Sequence, residues 1–255
     1  MVLCADDYGC SDEVSEGILR LLHQGRLSAT SCMTTTASWS KDAEKLLPFK
    51  GKVQIGLHFN LTEDQGFGGL KSVIFQALTR RLDLMCVRQA FQHQLMMFKE
   101  AMGIEPDFID GHQHIQHLPG VREVIITSLT DGTWVKTPWV RVSSNGLFHV
   151  QSMKEGVIHL IGASALRQLL TTYKIPFNPS FQGVYDFHKA EQFPHLMERF
   201  LQQSVEGGLI MCHPGLGGAV GDPIAHARNR EFQYLSSDAF GMLLSRLAIQ
   251  LTPSS

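Results

Sequence analysis

The amino-acid sequence predicts an α/β fold built on a mainly parallel sheet of six or seven strands, and three observations carry that expectation. Short apolar runs of strand character alternate with segments whose apolar residues recur at helical spacing, the pattern of a parallel sheet joined by helices. Residues that bind metals or move protons stand at the carboxyl ends of four such runs: Asp6 with Asp7, His58, His112 and His213. That recurrence favours a barrel over an open doubly wound sheet, because loops from different strands converge at the carboxyl-end face of a barrel. The third observation is size. The chain has 255 residues, 44% of them hydrophobic, with no linker, low-complexity tract or internal repeat, which suits one domain over 1–255.

Taken in order, Val2-Leu3-Cys4-Ala5 reads as a strand ending in Asp6-Asp7-Tyr8-Gly9. Ser11 or Asp12 caps a helix with Val14, Ile18, Leu21 and Leu22 on one face, ending at Gly25. Residues 27–36 alternate as a second strand, and 43–47 form a short helix stopped by Pro48. Residues 53–57 are a third strand that delivers His58 at its end. Residues 62–86 show no clean period, with Gly66, Gly68 and Gly69 marking a loop. Phe91, Leu95, Phe98 and Met102 share a helical face closed by Gly103. A short strand, Phe108-Ile109-Asp110, then leads into Gly111-His112-Gln113-His114-Ile115-Gln116-His117.

Residues 121–129 read as helix, and 134–142 as a strand region interrupted by Pro138 that carries Arg141 near its end. A helix is expected around 160–170, a short strand and loop over 181–187, and a further helix over 193–204. Leu209-Ile210-Met211-Cys212 fits a buried parallel strand and ends in His213-Pro214-Gly215. A glycine-rich stretch, 215–221, follows, and Ser236 or Asp238 caps a last helix with Phe240, Leu243, Leu244 and Leu247 inward.

Composition narrows the function. Acidic and basic residues nearly cancel, 24 against 22, and no basic cluster exceeds a pair such as Arg80-Arg81, which argues against nucleic acid as a partner. No apolar run approaches the ~20 residues of a membrane span, and the N-terminus lacks a basic region followed by a signal core. A cytoplasmic protein is therefore expected. Five cysteines, odd in number and without CxxC spacing, argue against a disulfide framework or zinc knuckle, so most are expected reduced and buried.

Adjacent carboxylates repel unless a cation or proton lies between them, so Asp6-Asp7 at a strand end points to a bound metal, against a turn in which one Asp merely caps a helix. One carboxylate with two imidazoles forms a facial set that holds a divalent ion and leaves positions open for water and substrate.

Ala5-Asp6-Asp7-Tyr8-Gly9, Gly56-Leu57-His58-Phe59-Asn60-Leu61-Thr62, Asp110-Gly111-His112-Gln113-His114 and Met211-Cys212-His213-Pro214-Gly215 resemble the successive motifs of the YdjC-like carbohydrate deacetylases, which include chitooligosaccharide deacetylases. The resemblance runs in order from Asp6 to about Ser236, with Tyr8 standing where Phe is usual. It implies a distorted (β/α) barrel that removes the acetyl group from an N-acetylated sugar with a divalent metal, magnesium or zinc. Carried over by position, Asp7, His58 and His112 are the metal ligands, Asp6 the general base acting on a metal-activated water, and His213 the general acid. Asp6 is expected to point away from Asp7 by the strand pleat and so to stay clear of the metal. His114, two residues beyond His112 at strand spacing, reads as substrate-facing or as support for a ligand, and Arg141 as a clamp on a sugar hydroxyl or carboxylate. Trp39, Trp134 and Trp139 are stacking surfaces or, more simply, core. The expected partners are an N-acetylated sugar and, as an option, a second copy in a homodimer. Two other functions use the same residues: a metal-dependent phosphoesterase, although no Lys-Ser/Thr follows the 215–221 glycines, and a catalytically silent sugar-binding barrel, which would need neither acid nor base.

Overall fold

The computed structural model describes residues 1–63, 66–144 and 162–252. Its strands are β1 (Val2–Tyr8), β2 (Ala29–Cys32), β3 (Gln54–Phe59), β4 (Phe108–Gly111), β5 (Trp139–Val140), β6 (Phe181–Gln182) and β7 (Leu209–Cys212). They form one seven-stranded sheet in the order β5-β4-β3-β2-β1-β7-β6, and each described strand pairing is parallel. The helices are α1 (Asp12–His23), α2 (Trp39–Leu46), α3 (Gly69–Leu78), α4 (Leu84–Met102), α5 (Val121–Leu129), α6 (Ser164–Thr172), α7 (Phe193–Gln203), α8 (Ala225–Leu235) and α9 (Asp238–Arg246). The α/β class, the parallel sense and the strand number are those the sequence predicts. No helix among the described residues is long and apolar enough to cross a membrane.

The chain divides into two compact units. The first comprises Met1–Cys32, Thr36–Ile55 and Pro179–Ser255. Here β1 lies between β2 and β7, with Cys4 level with Ala29 and Ala5 level with Cys212. Every residue of β1 is buried, as expected for a strand covered on both faces. The ladder to β2 slips between Ala5 and Tyr8, where Asp7 takes a left-handed φ of 69°. Ser11 caps α1 by accepting from the Val14 N–H, and Val14, Ile18, Leu21 and Leu22 are buried. Gly17, on the same helix, meets the backbone of the loop after β7: a Cβ there would lie 2.8 Å from Gly215 Cα. Cys4, Cys32 and Cys212 are buried thiols, Cys10 is half-buried and Cys86 is exposed.

The second unit comprises Met33–Thr35 and Gly56–Asn178. Its register sets Leu57 beside Ile109 and His58 beside Asp110. Gly56 leaves room for the Phe108 ring, which a Cβ would enter, and Phe108 in turn stacks on Trp139 with centroids 4.4 Å apart. Asp83 caps α4 by accepting from Met85 and Cys86, and Gly103 ends it at φ 65°. Phe91, Phe98 and Met102 are buried on α4 while Leu95 is half-buried; the fully buried polar residue on that face is Gln94.

Several elements differ from the sequence reading. Helix α2 starts at Trp39, earlier than expected, and ends at Leu46 ahead of Pro48, which enters a 3-10 turn, Leu47–Phe49, where its missing N–H costs nothing. The strand within 134–142 shrinks to Trp139–Val140, because its ladder begins only after Pro138, with Trp139 N–H donating to Asp107 and Arg141 N–H to Ile109. The unread stretch 62–86 contains α3, and the glycine-rich stretch is followed by the unexpected α8. His58 lies inside β3, not beyond it. Part of the helix expected around 160–170 lies outside the described residues, and α6 forms its remainder.

At an open helical site Gly→Ala stabilises by roughly 0.5–1 kcal/mol. Gly17→Ala should instead lower the melting temperature by several degrees, since relieving contact with the Gly215 backbone costs about 1–3 kcal/mol. A thermal melt showing a higher midpoint would refute the close approach.

Candidate functional site

In the second unit the parallel register places His58 and Asp110 side by side on neighbouring strands. Their side chains meet, with His58 Nδ1 2.7 Å from Asp110 Oδ1. The other oxygen, Asp110 Oδ2, lies 2.6 Å from Arg141 Nη2 at the end of β5. All three groups are buried. A carboxylate in such surroundings is costly unless paired, and here a guanidinium and an imidazole flank it.

This contact orients His58 so that Nε2 faces the next ring, where His112 Nδ1 lies 3.3 Å away. His112 Nε2 in turn lies 3.1 Å from Glu63 Oε1. Each imidazole thus has one nitrogen on a carboxylate and the other turned toward its neighbour. Two nitrogens bound to one ion at about 2.1 Å are roughly 3.0–3.4 Å apart for octahedral to tetrahedral angles, so the pair fits a shared divalent metal. Carboxylates on the far nitrogens are the usual support for such ligands.

Glu63 is held indirectly by α4. Gln94 exchanges two hydrogen bonds with the Asn60 backbone, and Asn60 Oδ1 accepts from the Thr62 and Glu63 N–H groups. After Gly111 the chain leaves the strand, because Gln113 and His114 both adopt left-handed φ, 54° and 63°. His114 is therefore not at strand spacing from His112, as the sequence suggested, but on a 3-10 turn over His112–His117. His117 is fully buried, and its Nε2 accepts the Ser143 N–H. Burial, then the charges of Arg141 and Arg122, push its pKa down to about 3, so at neutral pH it is a neutral acceptor. Arg141 is buried against Asp110. Trp39 is buried, Trp139 stacks on Phe108, and Lys99 Nζ lies 4.6 Å from the Trp134 ring centre.

In the first unit Asp6 and Asp7 are both buried at the end of β1. The slipped ladder and the left-handed φ of Asp7, 69°, break the simple pleat alternation expected to separate them. Arg228 Nη2 donates to Asp7 Oδ2 at 2.8 Å, and Arg228 Nε to Asp222 Oδ2 at 2.7 Å. Burial opposes the Arg228 charge, but Asp7, Cys10 and Asp222 more than offset it and hold the guanidinium protonated. Cys4 Sγ lies 3.6 Å from Asp6 Oδ1.

Ala5 is level with Cys212, so Asp6, still within β1, and His213, just beyond β7, follow a paired position on adjacent strands. The His213 N–H donates to Glu231 Oε2, and Tyr185 Oη donates to Glu231 Oε1 at 2.6 Å. The Phe187 ring packs edge-on against the His213 ring, 5.3 Å between centroids. Burial raises the Glu231 pKa to about 7 despite those two donors, with Arg228 lowering it and Asp6 adding to the rise.

Sequence reasoning missed Glu63, Asp110, Arg228 and Glu231. Asp110 was visible inside its motif, two residues before His112 and so on the same face of an extended strand. Arg228 and Glu231 occupy inward positions of a helix without an apolar stripe, so periodicity had nothing to detect.

A family model described as YdjC-like protein matches residues 1–246. A Homo sapiens protein named carbohydrate deacetylase is 31% identical over 146 residues, covering 51% of this chain and 45% of that protein. The chain thus spans less than half the length of that relative. A chitooligosaccharide deacetylase of Yersinia pestis (strain Pestoides F) is 24% identical over 225 residues, covering 84% of this chain and 81% of the relative. Among solved structures, an Enterococcus faecalis V583 protein described as a candidate for cellobiose-phosphate cleavage shares the fold. It has a TM-score of 0.73 at 18% identity and covers 99% of this chain and 96% of its own.

The His117 shift carries a pH signature. Its folded pKa of about 3 lies below the ordinary 6.5, so the unfolded chain takes up the proton first. The associated stability is complete above pH 6.5 and is lost as pH falls toward 3. His117→Gln keeps an acceptor for Ser143, and its denaturation midpoint should fall less over that window than that of the parent protein. Parallel profiles would contradict the assignment.

Proposed function

The chain belongs to the YdjC-like family, and from that premise we propose that it is a metal-dependent hydrolase that removes the acetyl group from an N-acetylated sugar or oligosaccharide. The observation that carries the proposal is the His58–His112 pair, two imidazole nitrogens 3.3 Å apart, each ring backed by a carboxylate. The named relatives, a carbohydrate deacetylase and a chitooligosaccharide deacetylase, support the substrate class.

In this reading Asp7, His58 and His112 hold one divalent ion, within a single catalytic domain. Two imidazoles and one carboxylate suit zinc, manganese or iron better than magnesium, which prefers oxygen ligands. Such an ion supplies Lewis acidity, which acidifies water and polarises the amide carbonyl. Asp6 accepts the proton of the attacking water. The acetyl carbon gains the hydroxyl, the C–N bond breaks, and His213 gives the departing nitrogen its proton, leaving acetate and a free amine. His213 suits that step because an imidazole exchanges its proton near neutral pH. His114, on the turn beyond His112, faces the sugar, while Arg141 acts through Asp110 by holding the carboxylate that orients His58.

The test is acetate release from a panel of N-acetyl sugars, with metal titrated back into stripped protein. Asp7→Ala should lose metal binding, whereas Asp6→Asn should bind metal and lose turnover. Full activity in stripped protein or in Asp6→Asn would sink the mechanism. Phosphate-ester hydrolysis without acetate release would favour a phosphoesterase, and sugar binding without any turnover a silent binder. Asp110→Asn should weaken metal affinity about 10–100-fold, read by calorimetric titration, as expected when the support of a ligating histidine is altered.

A further inference from the structure

Helix α8 places two buried charged side chains three residues apart on its inner face, where a helix ordinarily presents apolar groups. Arg228 bridges Asp7 and Asp222, and its carbonyl accepts the Gly215 N–H. Glu231 receives Tyr185 Oη and the His213 N–H. One turn of helix thus touches the end of β1, the end of β7 and the chain beyond β6. Packing alone does not call for such residues, because apolar side chains of similar volume are often as stable as a buried ion pair.

We infer that Arg228 and Glu231 are positioning residues, Arg228 fixing the Asp7 carboxylate for the metal and Glu231 fixing the backbone from which His213 acts. The inference rests on the roles proposed for Asp7 and His213. Asp7 occupies a left-handed conformation, φ 69°, and a non-glycine residue stays there only when its surroundings dictate it. The guanidinium meets Asp7 at Oδ2, and its second arm on Asp222 keeps it from turning away. Glu231 engages the main chain of His213 and so sets its place without taking part in its proton transfer.

The two positions separate by readout. Stripped protein is titrated with zinc, and kcat and KM for acetate release are measured on the reloaded enzyme. Arg228→Met should lower zinc affinity by about tenfold or more, within the range for groups that orient a metal ligand. Loss of a positive charge beside a cation acts in the opposite direction, so unchanged or tighter zinc binding in Arg228→Met overturns the Arg228 assignment. Arg228→Lys keeps the charge but not the fork, and should also bind zinc more weakly. Glu231→Ala should leave zinc affinity at the parent value and lower kcat by about tenfold or more with little change in KM, as for a group displaced from its working geometry. Glu231→Gln retains an acceptor for the His213 N–H and should recover most of that loss. Parental kcat in folded Glu231→Ala, or no recovery in Glu231→Gln, overturns the Glu231 assignment. Should the parent protein bind zinc no better than Asp7→Ala, or release no acetate, the underlying function fails instead, a result distinct from either outcome above.

Discussion

Charge cannot stay unpaired in a protein interior, and the carboxyl end of this sheet is organised by that constraint. Within each unit, parallel strands buried on both faces carry acidic groups near their carboxyl ends, Asp6 and Asp7 on β1 in the first and Asp110 on β4 in the second. Each carboxylate with a described partner meets a donor suited to it. Arg228 meets Asp7, His58 and Arg141 flank Asp110, and Tyr185 with a main-chain N–H meets Glu231. The geometry of the neighbouring imidazoles follows from these pairings. Asp110 decides which nitrogen His58 presents, and Glu63 does the same for His112.

Close backbone approach is the second requirement, and glycine meets it at particular places. Gly183, at φ 108°, lies so near Met211 that any Cβ would overlap its carbonyl. Gly17 lets α1 rest on the loop after His213. Gly111 sits where a Cβ would strike Ile115 and Gln116, allowing the chain to fold back immediately after β4 and set His112 beside His58. These contacts account for glycines within or beside the motif blocks.

Much of this was legible in the chain. Strands such as Leu209–Cys212, helices such as Val121–Leu129 and the cap at Ser11 follow from short-range rules, because burial period and capping are properties of neighbouring residues. Histidines at strand ends were recognisable for the same reason. Helix α8 was not, since Arg228 and Glu231 stand where an apolar stripe would have announced it. Nor was the bend at Gln113 and His114, because left-handed backbone in non-glycine residues depends on what surrounds them.

The sequence by itself determined the α/β class, the parallel strands and the family to which the chain belongs. Tertiary structure alone decided who partners whom: Asp110 with His58, Glu63 with His112, Arg228 with Asp7, and Arg141 turned inward to a carboxylate. The division has a physical cause. Periodicity and capping act over a few residues, whereas pairing a buried charge depends on register and approach between residues as far apart as Asp7 and Arg228.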